Sequence, residues 1–139
     1  MTLHTVTLHP DDSLRTAASL FEREHFHHVV VLEHGRVVGV VSDRDILKSI
    51  SPFVGNPLLE RFQDASTLKK RVHQIMSRKP VTIGPERSVA DAARVMLTEH
   101  VSCLPVMSDD GQLIGIVTVR DLIAQLVDMK TVEEKCAAL

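Results

Sequence analysis

The sequence predicts an α+β fold made of two tandem copies of one unit: a short strand, a helix, a hairpin and a second helix. Three observations predict it. The stretch from Val6 to Leu47 aligns with Val81 to Ile123 after a one-residue insertion near Asp109-Asp110. In each copy, apolar residues recur at helical spacing in one part and as short runs bounded by turn signals in another. Both copies close on the same corner, Gly39-Val40-Val41-Ser42-Asp43-Arg44-Asp45-Ile46 and Gly115-Ile116-Val117-Thr118-Val119-Arg120-Asp121-Leu122. Two copies are too few for a solenoid, so they are expected to pack face to face about a pseudo-twofold axis.

Val6-Thr7-Leu8 and Val81-Thr82-Ile83 read as the short strands, stopped by Pro10 and Pro85. Ser13 and Ser88 are the expected N-caps of the next helices, and Asp91 sits where a capping acid belongs. Leu14, Ala17, Ala18 and Phe21 in one copy, and Val89, Ala92, Ala93 and Met96 in the other, form the stripe of a half-buried helix. His25 and His100 end these helices, where an imidazolium complements the dipole. Val29 to Leu32 and Leu104 to Met107 are the next strands, with turn signals at His34-Gly35 and Asp110-Gly111. Val37 to Val41 and Leu113 to Val117 follow. The strand glycines Gly39 and Gly115 predict close approach of a ligand or another backbone. The closing helices are expected over roughly 43–49 and 119–129.

The organisation is therefore a first repeat over residues 1–50, a partly helical linker over 51–75, a second repeat over 76–129 and a tail over 130–139. Pro and Gly mark Ser51 to Pro57 as a loop. Leu58, Phe62, Ala65, Leu68, Val72 and Ile75 then recur at spacings of three and four, which predicts one helix, or two broken near Ser66-Thr67. Lys69, Lys70, Arg71, Arg78 and Lys79 make this linker basic. A solvated face explains that better than an acidic partner does. The tail reads as a fraying helix end.

Composition narrows the function. Of the 139 residues 44% are apolar, enough for a core, but the only aromatics are four Phe. A stacking platform for single-stranded nucleic acid is not expected. Sixteen basic against eighteen acidic residues leave −2, with no footprint for nucleic acid or an anionic membrane. Cys103 and Cys136 are too few for a disulfide framework. The opening residues lack the basic-then-apolar pattern of a leader, and no apolar run approaches the roughly 18 residues of a membrane helix. The expectation is a cytoplasmic protein.

The two corners carry the chemistry. A strand running into a helix presents backbone N–H groups that favour anions. A hydroxyl (Ser42, Thr118), an arginine (Arg44, Arg120) and a carboxylate one turn on (Asp45, Asp121) suit a phosphate and a ribose diol. The plainer alternatives are N-caps for the hydroxyls, dipole-complementing acids for the aspartates and surface ion pairs for the arginines.

At residue level the pattern Val81-Thr82-Ile83-x-Pro85-x-x-Ser88-Val89-x-x-Ala92-Ala93, then Leu104-Pro105-Val106-Met107-x-x-x-Gly111-x-Leu113-Ile114-Gly115-Ile116-Val117-Thr118-x-x-Asp121-Leu122, resembles a CBS domain. Residues 6–47 match almost as well, so the chain is similar to a stand-alone CBS pair, or Bateman module. The resemblance implies βαββα units whose three-stranded sheets meet along the pseudo-twofold, two clefts between the repeats, and a homodimer. It also implies an adenine nucleotide (AMP, ADP or ATP) or S-adenosylmethionine as ligand, no other cofactor, and regulation of an unknown partner protein. By the same resemblance Thr118 and Asp121 contact phosphate and ribose in one cleft, and Ser42 and Asp45 in the other. The strands Val6-Thr7-Leu8 and Val81-Thr82-Ile83 read the adenine edge through their backbones. His27 and His28 stand where CBS relatives place phosphate ligands, facing the cleft of Asp121. Ser102 and Cys103 hold the equivalent places for the cleft of Asp45, so the more cationic Asp121 cleft is expected to bind better. Two departures are Val30, where the family has proline, and a first repeat that starts at the chain end without the lead-in helix that Val72 to Met76 suggests for the second. That start makes a frayed or swapped first strand, or a piece of a larger protein, an expectation.

Rival readings start from the same residues. His25, His27 and His28 invite a metal, but His27 and His28 point to opposite faces of a strand and cannot easily ligate together. Cys103 has no base partner in register, and no nucleophile elbow or phosphate-cradling Gly-rich loop occurs, so an enzyme is not expected. The strongest rival is a ligand-free dimerisation module.

Overall fold

The computed structural model describes residues 6–50 and 66–129. The opening residues, the loop at 51–57, the helical positions Leu58, Phe62 and Ala65, the tail and Cys136 lie outside the described residues. The chain divides into two compact units between Pro80 and Val81.

The first unit runs β1 (Thr7–Leu8), α1 (Leu14–Glu24), β2 (His28–Glu33), β3 (Arg36–Ser42) and α2 (Asp43–Ser49). Ser13 caps α1 by accepting the Thr16 N–H at 3.2 Å, and Leu14, Ala17, Leu20 and Phe21 are its buried face. The β2–β3 hairpin closes through His34 and Gly35, both at positive φ (51° and 76°), as a two-residue turn that follows strand twist requires. β1 pairs parallel to β2, Thr7 beside Val30 and Leu8 beside Val31. A fourth strand, β4 (Ser77–Arg78), pairs antiparallel with β3, so this sheet has four strands where three were expected. Gly39 makes that pairing possible: a Cβ there would lie 2.7 Å from both Met76 Sδ and the Ser77 carbonyl oxygen.

The linker departs furthest from its periodicity. Among its described residues, Ser66 is helical and two short 3₁₀ helices follow, Thr67–Lys69 and Val72–Gln74, so the break expected near Ser66-Thr67 is there but no second α-helix follows it. The break has a tertiary cause. Val72 and His73 donate their N–H groups to the Asp12 and Pro10 carbonyls (2.8 and 2.9 Å), and Lys70 C=O accepts from Leu14 N–H at 2.8 Å. Those groups cannot also serve an α-helical ladder. Val72 is fully buried in the first unit's core with Leu8, Ala17, Val41 and Ile46. The stretch expected to lead into the second repeat thus completes the first.

The second unit carries α3 (Val89–Glu99), β5 (Cys103–Met107), β6 (Leu113–Thr118) and α4 (Val119–Met129). Ser88 and Asp91 form a reciprocal capping box (3.0 and 3.3 Å). His100, like His25 before it, ends its helix in the left-handed conformation (both φ 56°). The inserted residue lengthens the β5–β6 loop and leaves Gly111 at φ 79°. The expected strand at Val81 to Ile83 is reduced to one parallel bridge, Ile83 to Val106, with Ile83 N–H on Pro105 O (3.0 Å) and Met107 N–H on Ile83 O (2.9 Å). Pro105 is the reason: it has no N–H to extend the ladder, whereas Val30 at the same place of the first repeat has one. Val89, expected on the buried stripe, is 45% exposed, while its counterpart Leu14 is fully buried.

Candidate functional site

Both predicted corners form, and in the same way. In the first, Ser42 N–H donates to Asp45 Oδ2 at 2.9 Å and Asp45 N–H donates to Ser42 Oγ at 3.1 Å. In the second, Thr118 N–H and its hydroxyl both donate to Asp121 Oδ2, at 2.7 and 3.0 Å. Asp121 N–H returns a bond to Thr118 Oγ1 at 3.3 Å. Hydroxyl and carboxylate therefore hold each other at the helix start, half-buried and with the acid pre-oriented. Arg44 and Arg120, one residue before each acid, are exposed.

The residues expected beside the corners are tied to the corner of their own unit. Asp43 N–H donates to His27 O, and Val119 N–H donates to Ser102 O, both at 3.0 Å. The first corner adds a side-chain pair, His27 Nδ1 to Asp43 Oδ2 at 2.9 Å. That bond holds the Asp43 carboxyl below its usual range, and it leaves His27 Nε2 as the outer nitrogen. His28 sits beside Ser42 in the β2–β3 register, and burial lowers its pKa. Cys103, beside Thr118, is buried, which pushes its thiol up to about 11 and makes it a poor nucleophile. Of the short strands, Leu8 is buried, Thr7, Val81 and Ile83 are half-buried, and Val6 and Thr82 are exposed. Among the described residues no three His, Cys, Asp or Glu gather within reach of one metal ion.

A cavity of about 250 Å³ opens at the second corner. Ile83, Val89, Ala92, Val106 and Val117 give it an apolar wall, and Asp121, Arg87 and Gln125 give it polar groups. This explains the exposure of Val89: it lines a pocket. Sequence reasoning missed Arg87, Gln125 and Asp43. Gln125 had a signal, since it lies four residues after Asp121 and so shares its helix face. Arg87 had none, because its counterpart in the first repeat is Asp12.

The CBS domain family matches residues 1–52 and 72–128, and the chain belongs to that family, with two copies in tandem. A Methanocaldococcus jannaschii relative, the uncharacterized protein MJ1426, is 32% identical over 144 residues, covering 88% of this chain and 86% of its own. The CBS domain pair of protein MJ0100, solved in complex with 5′-methylthioadenosine and S-adenosyl-L-methionine, superposes with a TM-score of 0.75. It is 25% identical, and the match covers 94% of each chain. CBSX2, solved in complex with AMP, is 28% identical with a TM-score of 0.71, over 91% of this chain and 90% of that one. The α+β fold of a CBS pair is thereby shared with proteins that hold adenosyl ligands.

Proposed function

We propose that the chain is a regulatory ligand-sensing module, not an enzyme. It binds an adenine nucleotide (AMP, ADP or ATP) or an adenosyl compound such as S-adenosylmethionine, and passes the bound state to a cytoplasmic partner protein or to a homodimer. The observation that carries this reading is the pocket at the second corner, where a pre-oriented carboxylate meets an apolar wall. Such a pairing suits a ribose diol next to a purine. Its volume, about 250 Å³, falls below the ~300–1,000 Å³ of sites that enclose a whole drug-sized ligand. It suits a nucleoside, with phosphate or methionine groups lying outside.

In this reading Asp121 accepts from the ribose hydroxyls, and Thr118 and Arg120 face the phosphate. The backbone of Val81, Thr82 and Ile83 reads the base edge. Asp45, Ser42, Arg44 and the Val6-Thr7-Leu8 strand are the corresponding groups of the first corner. His27, braced by Asp43, and His28 offer imidazole donors to anionic groups, and Ser102 and Cys103 take the equivalent places. A thermal-shift screen of adenine nucleotides, guanine nucleotides and S-adenosylmethionine tests the reading. A ligand at 100 times its dissociation constant adds about 2.7 kcal/mol, a displacement of several degrees for a domain this size. No shift with any of them refutes it.

A specific observation favours a second reading, dimerisation without ligand. Val119, Ile123, Leu126 and Val127 on α4 are 41–65% exposed, an apolar face along one helix. Sedimentation of the native chain against Ile123→Glu tests this second reading. A monomer in both cases removes this second reading.

A further inference from the structure

A purine is a flat ring, and a seat for one offers a partner to each of its faces. In the pocket of the second repeat, Val89, Ala92, Val106 and Val117 supply an apolar wall for one face. No Phe, Tyr or Trp occurs in the chain after Phe62, so the second repeat has none of these rings to lay on the other. Among the described residues three planar side chains line the pocket: the Asp121 carboxylate, the Gln125 amide and the Arg87 guanidinium. Asp121 is turned back to the Thr118 N–H and hydroxyl by its own bonds (2.7 and 3.0 Å). Arg87 differs. It stands just before Ser88, the cap of α3, and its side chain is 56% exposed while still lining the pocket. Its Nε lies 3.7 Å from Asp91 Oδ2. Asp91 is itself fixed, since Oδ2 accepts the Ser88 N–H and Oδ1 accepts from Arg94 Nη1, both at 3.3 Å. The ion pair holds the guanidinium by its inner nitrogen, and the rest of the plane extends beyond that contact. The arginine is not a repeat feature. Asp12 has the matching place in the first repeat, where its carboxylate accepts His9 N–H at 2.8 Å.

We propose that the Arg87 guanidinium stacks on the outward face of the bound base, and that Asp91 positions it there. The inference rests on the reading that this pocket takes a nucleoside. A cavity of about 250 Å³ seats a nucleoside only in part, which leaves a face of the base to be covered from outside. A guanidinium is planar, delocalised and weakly hydrated, so it stacks on an aromatic face where a lysine ammonium stays in water. Single bases in RNA are held against arginine planes in the same way. The contact is with the ring, so it depends on neither a phosphate nor a sulfonium group. Arg87 therefore adds an increment of affinity common to adenosine, AMP and S-adenosylmethionine. Asp91 has two tasks, capping α3 and aiming the arginine.

Calorimetric titration of the full chain with adenosine, AMP and S-adenosylmethionine tests this on the native protein, Arg87→Leu and Arg87→Lys. Arg87→Leu should weaken every one of these ligands that binds by the same factor, about three- to thirty-fold. Arg87→Lys keeps the charge but not the plane, and should recover little of that loss. A loss confined to AMP, or native affinity restored by Arg87→Lys, assigns the residue to a charge contact and overturns the proposal. Native affinity in Arg87→Leu overturns it too, and leaves Arg87 as a surface ion pair. Asp91→Asn tests the positioning. It should weaken binding about two-fold or more in the native chain and change nothing further in Arg87→Leu. Equal losses in both backgrounds mean that Asp91 acts through the helix cap alone, and overturn its positioning role. If none of the three ligands binds the native chain, the nucleoside reading fails and the stacking role falls with it. Binding by the native chain with unaffected Arg87 variants removes the stacking role alone.

Discussion

The two repeats have kept the same corner and diverged around it. In each, a hydroxyl and an aspartate three residues apart exchange hydrogen bonds at the start of a helix. Around the first corner, linker residues pack into the core and a fourth strand joins the sheet. Around the second, an apolar pocket lies open beside the carboxylate. The lesson is that a sequence motif can be conserved within one chain for a local reason, helix capping, while the space beside it decides whether it meets a ligand. Capping alone explains both aspartates; the pocket beside Asp121 is the observation that adds a ligand reading to the second.

The comparison can be broken or sharpened by substitution. The largest effect is expected in the core of the second unit, where Leu104 is fully buried. Leu104→Ala should cost about 2–5 kcal/mol in chemical denaturation, by lost transfer energy and the cavity left behind. A loss below about 1 kcal/mol would mean that the second unit is loosely packed throughout, and that its pocket is one void among several.

Next comes the carboxylate itself. Asp121→Ala should weaken nucleotide binding by about 1.5–3 kcal/mol, roughly ten- to a hundred-fold, and by more than Asp45→Ala does. Equal small losses in calorimetry would erase the distinction between the corners. Capping separates the repeats on a smaller scale. Ser88→Ala removes the bond from Asp91 N–H to the hydroxyl but keeps the Ser88 N–H bond to the Asp91 carboxylate, whereas Ser13→Ala removes the hydroxyl's bonds to both Thr16 N–H and Thr16 Oγ1. Within the usual range of about 0.5–2 kcal/mol, the Ser13 change should cost more in thermal unfolding.

The smallest effect belongs to the His27–Asp43 pair of the first corner. The Asp43 pKa is lowered in the folded chain. Its contribution is therefore present above the ordinary aspartate range and lost as the pH falls through the lowered value. Both side chains are well exposed (63% and 40%), so screening limits it to about 0–1 kcal/mol. Asp43→Asn should flatten the acid limb of a stability–pH curve by that amount. A steeper acid limb would show that the carboxylate does not favour the folded state.

Much of this was legible in the residues. The repeat alignment located both hairpins, both capped helices and both corners. Those are local events: capping needs a hydroxyl at the right place, and a hairpin needs turn residues that accept positive φ. Where reading failed, a long-range contact had overridden a local pattern. The linker had helical spacing, but Val72 and His73 spend their N–H groups on carbonyls about sixty residues earlier in the chain. Val89 had the spacing of a core residue but faces a cavity. The strand at Val81 to Ile83 shrank to one bridge, although Pro105, the residue responsible, stood in plain view.

Pattern and spacing were enough to predict two repeats and their corners, because capping, turns and amphipathic helices act over a few neighbouring residues; the residue motifs carried the resemblance to the family. The packing around each corner could not be read that way. It depends on which distant segments fold back against the helix. Here Val72 packs into the core of the first repeat, and a cavity of about 250 Å³ lies at the corner of the second. Only the folded chain brings residue 72 against residues 8, 17, 41 and 46, since close packing joins groups that share no local signal.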